Sequence, residues 1–158
     1  MRITILTLLF VLCMPTMAQK TFVERSTDVL SVTPTLAALT VSIVENDTKG
    51  MAELGLSTAA TIVANYALEA SIKKSRPDGT GNHSFPSTHT ALAFDGATYM
   101  MKRYGWKWGI PAYAVSTYVA WGRVYADKHD VWDVLGGAAL GTAAALVFTH
   151  SRKKDISI

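Results

Sequence analysis

Two histidines stand beside residues that phosphoryl chemistry uses. His129 precedes Asp133 by four positions, and Arg123 lies six before His129. Residues four apart stack on one helix face, so Asp133 is expected to accept the Nδ1–H of His129. That bond fixes the tautomer, frees Nε2 as a nucleophile and stabilises the imidazolium character that follows attack. His89 belongs to a second polar cluster, Ser87-Thr88-His89-Thr90, at the start of an apolar run. Ser87 is a good N-cap, with a hydroxyl suited to a first-turn N–H. The N–H groups of Thr88, His89 and Thr90 would then point out of a helix N-terminus, a ready anion site. Arg76 opens the same polar stretch, residues 75–90.

Phosphoryl transfer needs a nucleophile in line, a proton donor for the leaving oxygen and positive charge around the equatorial oxygens. His129 supplies the first. His89 supplies the second, since an unperturbed imidazole pKa of ~6.5 serves as acid and base. Arg76 and Arg123 supply the third through bidentate contacts. The set is complete without a metal or another cofactor. Each cluster also has a plainer reading. His129 and Asp133 can be a structural pair at a helix start, and residues 75–90 can be a helix stop, a Gly-rich turn and a helix start. A zinc site from His83, His89, His129 and Asp133 lacks a compact ligand pattern such as H-E-x-x-H.

The elements that must position these groups are helical. No alternating strand pattern and no internal repeat occurs. Helices are expected from Thr33 to Val44, Met51 to Lys74, Ser87 to Arg103, Trp108 to Trp121 and His129 to His150. Arg76-Pro77 ends the second, because a residue before proline is pushed out of helical geometry. Gly137 and Gly141, four apart, offer a small face for close helix contact. The fold class is all-α, a compact bundle of about five helices, and an up-and-down course brings the polar knots to one end. The uncharged stretches are near fifteen residues, long for surface helices and short for clean bilayer spans. Positive mean hydropathy and four tryptophans favour membrane association.

Residues 1–18 read as a cleaved signal peptide: Arg2, an apolar run from Ile3 to Met14, then Pro15-Thr16-Met17-Ala18. An N-terminal membrane anchor is the other reading, with an apolar run short of the roughly 20 residues a span needs. The only cysteine, Cys13, would leave with the signal, so no thiol chemistry is expected. Residues 19–28 read as a loose polar segment, 29–150 as a single helical domain and 151–158 as a basic tail. That tail is a solvated end or a contact with an anionic membrane surface. The net charge of +3 is mild, and no basic run with interleaved aromatics points to nucleic acid. The expected location is exported: periplasm or cell envelope, associated with the membrane.

Arg76-Pro77, Pro86-Ser87-Thr88-His89 and Arg123-x5-His129-x3-Asp133 together resemble the type 2 phosphatidic acid phosphatase and vanadium haloperoxidase superfamily. Its signature is Lys-x6-Arg-Pro, Pro-Ser-Gly-His and Ser-Arg-x5-His-x3-Asp. The resemblance covers roughly residues 69–133 and implies a helical bundle acting on phosphate monoesters or pyrophosphates, often on lipids. It implies His129 as the nucleophile that becomes phosphohistidine, Asp133 as its orienter and His89 as the acid. It implies Arg76, Ser87 and Arg123 as phosphate ligands, with the Thr88 N–H beside them. Three positions differ: Glu69 stands at the lysine, Thr88 at the glycine and Gly122 at the serine. Lys73, on the Glu69 face, is expected to pair with Glu69 and reach the phosphate. A β-branched Thr88 would be strained if that position needed positive φ. The altered cradle also fits a catalytically weakened or lapsed scaffold of the same fold. A vanadate haloperoxidase is a third reading, for which the chain is short.

Overall fold

The computed structural model describes residues 17–152. Most of the expected signal, residues 1–16, and the end of the basic tail, 153–158, lie outside the described residues. Six helices follow: α1 Met17–Leu30, α2 Thr33–Val44, α3 Thr48–Ser71, α4 Thr88–Tyr104, α5 Trp106–Tyr125 and α6 Val131–Phe148. Among the described residues there is no strand, only an isolated parallel bridge between Lys74 and His83. The all-α expectation is met: α2 has the expected bounds, and α3 to α6 are the other four expected helices with shifted ends.

The sixth helix corrects the reading of residues 19–28 as loose. They form α1, which packs on α5. Its charged residues are not merely solvated. Lys128 pairs with Glu24 at 3.0 Å, Lys20 pairs with Asp127, and Ser26 Oγ meets Tyr118 Oη at 3.0 Å. All these partners lie on or just after α5, about a hundred residues along the chain.

Local signals explain the remaining helix ends. Pro34 sits in the first turn of α2, where its missing N–H costs nothing. Asp47 caps α3 by accepting the Gly50 N–H at 2.9 Å. The α3 helix ends at Ser71, not at Lys74, because the chain leaves it to pair with the loop ahead: Ser84 N donates to Lys74 O at 3.0 Å. A capping box starts α6, with Asp130 accepting from Asp133 N and Asp133 accepting from Asp130 N, both at 3.0 Å.

Helix α4 is the hub, packed against α2, α3, α5 and α6. Its inward residues are small in its first half, among them Ala91, Ala93 and Ala97, and larger beyond, with Tyr99 and Met100 buried. The α6 glycines let the two backbones meet. A Cβ at Gly137 would lie 2.5 Å from Ser87 O, and one at Gly141 2.0 Å from Ala91 O. The expected small-residue face is therefore the seam that sets the loop before α6 beside the start of α4. At the other end of α4, buried Arg103 forks onto Asp47 (2.6 and 2.5 Å) and reaches Glu53 at 2.9 Å.

Large apolar side chains face outward in number, including Leu36, Ile43, Val63, Trp132, Leu135 and Val147. The run Met17–Val44 and helix Val131–Phe148 are long and apolar enough to cross a membrane.

Candidate active site

His129 sits just before the N-cap of α6. Its backbone N–H donates to Arg123 O at 3.2 Å, which ties the histidine to the last turn of α5. The ring is buried. Nδ1 lies 2.8 Å from the carbonyl oxygen of Ser84. A carbonyl only accepts, so Nδ1 carries the proton and Nε2 keeps its lone pair. The expected direct bond to Asp133 is corrected here: Asp133 Oδ2 is 3.7 Å from Nδ1. A spacing of four stacks two residues only when both lie on one helix, whereas α6 begins at Val131 and leaves His129 outside it.

Asp133 instead builds the wall that orients His129. Its Oδ2 accepts the Ser84 hydroxyl at 2.5 Å and its Oδ1 accepts from Lys74 at 2.7 Å. Lys74 also meets Asp130 at 2.6 Å. The carboxylate thus fixes Ser84, and Ser84 fixes His129. Burial, with the charges of Arg123 and Arg76 nearby, pushes the His129 imidazole down to about 4. The ring is neutral near pH 7, the state a nucleophile needs.

His89 lies in the first turn of α4. Burial, then the charge of Arg123, pushes it down to about 4, against the opposing pull of Asp28. Arg123, with a side chain only 4% exposed, donates from Nη1 to Asp28 Oδ1 at 2.6 Å. The same oxygen lies 3.1 Å from His89 Nε2. Among the described residues, buried Arg123 Nε finds no acceptor. A buried unpaired guanidinium donor is costly without a ligand. Arg76 acts on His89, His129 and Arg123 through its charge, and no ion pair to it occurs among the described residues.

Other expected contacts differ in detail. Ser87 is the N-cap residue of α4, yet its hydroxyl caps no backbone N–H. It accepts from Thr90 Oγ1 at 3.1 Å, and Ser87 N donates to Asp133 O at 3.0 Å. Thr88 opens α4 without strain, since Asn46 and Asp127 alone among described non-glycine residues have positive φ. Lys73 is exposed and stands outside the network, because the early end of α3 turns Lys74 inward in its place. Glu69 pairs not with Lys73 but with Asn65 and Thr88, each at 2.8 Å. Gly122 makes room for α1: a Cβ there would lie 2.5 Å from Thr27 Cγ2. Among the described residues no group of three or more His, Cys, Asp or Glu side chains is placed to hold a metal.

Asp28, Lys74, Ser84 and Asp130 went unrecognised in the sequence. Only Asp130 carried a readable signal, the reciprocal cap with Asp133.

The arrangement of two neutral histidines, two arginines and an open helix N-terminus has counterparts in known proteins. Residues 50–157 match the PAP2 superfamily, a span that holds His89, Arg123, His129 and Asp133. The chain belongs to the PAP2 superfamily. It is 29% identical over 141 residues to the lipid A 4'-phosphatase of Helicobacter pylori strain J99, covering 82% of this chain and 71% of that one. It is 41% identical over 69 residues to the lipid A 1-phosphatase of Porphyromonas gingivalis, which is 42% of this chain but 16% of that protein. The crystal structure of Aquifex aeolicus LpxE shares the fold, with a TM-score of 0.70, 20% identity and coverage of 84% and 86%. Superfamily and relatives place the chain among phosphoric ester hydrolases.

Proposed function

We propose that this PAP2 protein is a metal-independent phosphatase that removes a phosphate from a lipid-linked substrate through a phosphohistidine on His129. The observation that carries the reading is the buried Arg123, whose Nε has no acceptor while its Nη1 and His89 Nε2 converge on one oxygen. A guanidinium N–H and an imidazole nitrogen at one oxygen, with an orphan second guanidinium N–H, describe a cradle for an oxyanion.

In the first step the Nε2 lone pair of His129 attacks phosphorus. The bond to the leaving oxygen breaks, and His89, protonated by the monoester monoanion as it binds, gives that oxygen the proton. Ser84 O and the Asp133 carboxylate stabilise the positive ring that results. In the second step water attacks phosphorus, His89 takes its proton, and the P–N bond breaks to return neutral His129. Arg76, Arg123 and the first N–H groups of α4 hold the oxygens throughout.

The packing supports membrane association. Small residues line the α4–α6 seam while large apolar side chains face outward, as in a bundle solvated by lipid. An exported location, periplasm or cell envelope, accompanies this reading. The relatives' substrate makes lipid A the first compound to test.

The test is release of inorganic phosphate from lipid A, and from a simple lipid phosphate monoester, by full-length protein in detergent. Turnover is expected and His129→Ala abolishes it. No release from any ester, with His129→Ala indistinguishable from wild type, favours the scaffold reading.

A further inference from the structure

We infer that Asp28 is a built-in competitor for the phosphate cradle, an affinity-setting residue supplied by α1. The inference rests on the cradle assigned above. Asp28 Oδ1 accepts from Arg123 Nη1 at 2.6 Å and lies 3.1 Å from His89 Nε2. These donors are the ones a phosphate oxygen and a leaving oxygen require. A carboxylate and a phosphate are both anions, and they cannot share two donors at this separation without strong repulsion. Substrate must therefore displace Asp28 before His89 can act as an acid.

The position of Asp28 is set where α1 packs on Gly122. Glu24 is paired with Lys128 at 3.0 Å, one turn earlier on the helix. Thr27 lies over Gly122, where a Cβ would come within 2.5 Å of its Cγ2 and 3.0 Å of Val23 Cγ1. A glycine directly before Arg123 is what lets α1 approach closely enough for Asp28 to reach the guanidinium. The loss of a side chain at 122 and the presence of a carboxylate in the cradle are thus one arrangement. Asp28 is 46% exposed while Arg123 is 4% exposed. The carboxylate can swing toward solvent on its own rotamers, and the arginine stays where the substrate needs it.

A competitor that occupies the free site weakens apparent affinity by the fraction of time it is bound. The alternative role, a permanent proton partner of His89, would leave the Nε2 proton directed at Asp28 and away from the leaving group.

The experiment is calorimetric titration of inorganic phosphate into the full chain in detergent, for wild type, Asp28→Asn and Glu24→Gln. The two variants remove the same charge from the same helix, but only Asp28 touches the cradle. Asp28→Asn is expected to bind phosphate roughly tenfold more tightly, because the competing charge-assisted bonds are lost. Glu24→Gln is expected to shift it by less than about twofold, since a screened charge acts weakly at a distance. Gly122→Ala, which presses on Thr27, is expected to tighten binding like Asp28→Asn and reads the same effect without touching the carboxylate. Unchanged or weaker binding in Asp28→Asn, an equal gain in Glu24→Gln, or no binding in any form would overturn the inference. Tighter phosphate binding without ester hydrolysis would keep the role of Asp28 and remove the phosphatase reading.

Discussion

The Thr88 hydroxyl donates to the Glu69 carboxylate at 2.8 Å, and Asn65 Nδ2 donates to both residues at the same distance. These are two of the positions at which the chain differs from the signature it resembles. Glu69 would repel a phosphate if it faced the cradle, but its Oε1 is engaged by its own neighbours. The glycine-to-threonine and lysine-to-glutamate differences are one interaction between α3 and α4. Thr88→Gly and Glu69→Ala should each destabilise the protein by about 1–2 kcal/mol. Their effects should be non-additive by about 1 kcal/mol in a double-mutant cycle of chemical unfolding. Strict additivity would show that the pair carries no coupling.

The two histidines predict an acidic optimum. His129 must be neutral to attack, so the rate falls as pH drops below its value of about 4. The leaving oxygen needs a proton, and His89, itself at about 4, is neutral in the free site near neutrality and has no second proton to give. A phosphate monoester carries one below its second pKa of roughly 6 and brings it in. A plot of kcat/KM should therefore peak between about 4 and about 6 and decline on both sides. A single rise to a plateau above pH ~8 would contradict this assignment of the proton.

Much of this site was legible in the chain because spacing carried it. Arg123, His129 and Asp133 lie within eleven consecutive residues, and His89 opens an apolar helix, so their types and order were readable. Contacts that depend on where a helix ends were not. An α3 that stops at Ser71 puts Lys74 where Lys73 was expected, and an α6 that starts at Val131 hands His129 to Ser84. Helix α1 was opaque for another reason. Its charges look like those of a solvated segment until α5 is folded beside them.

The α4–α6 seam has no room for a side chain at Gly141. A methyl at Gly141 would lie 2.0 Å from a backbone oxygen, which cannot move without shifting α4. Gly141→Ala should cost about 2–4 kcal/mol, at or above the usual range for overpacking. It should also lower kcat, since the seam sets His89 against the loop that holds His129. Wild-type melting and activity in Gly141→Ala would show that the helices meet elsewhere.

Stability at low pH is governed by the far end of the bundle. The hydrogen bond from Arg103 holds the Asp47 carboxyl well below the usual range. A depressed carboxyl contributes stability above its unfolded value of roughly 3.9, and that stability is lost as pH falls below it. Arg103→Met leaves the buried Asp47 carboxylate without its cation, while Glu53 keeps Lys49 and His150, and should cost about 3–5 kcal/mol. Chemical unfolding followed by circular dichroism should show the stability gap between wild type and variant narrowing as pH falls below about 4. No difference between them would remove the network from the account of acid stability.

The central claim is that His129 carries the phosphoryl group. Protein mixed with a radiolabelled lipid phosphate, quenched in alkali and digested, should yield label on the peptide holding His129. The label should be absent from His129→Ala. Phosphate released at the wild-type rate with no label on His129, or turnover retained in His129→Ala, would contradict it.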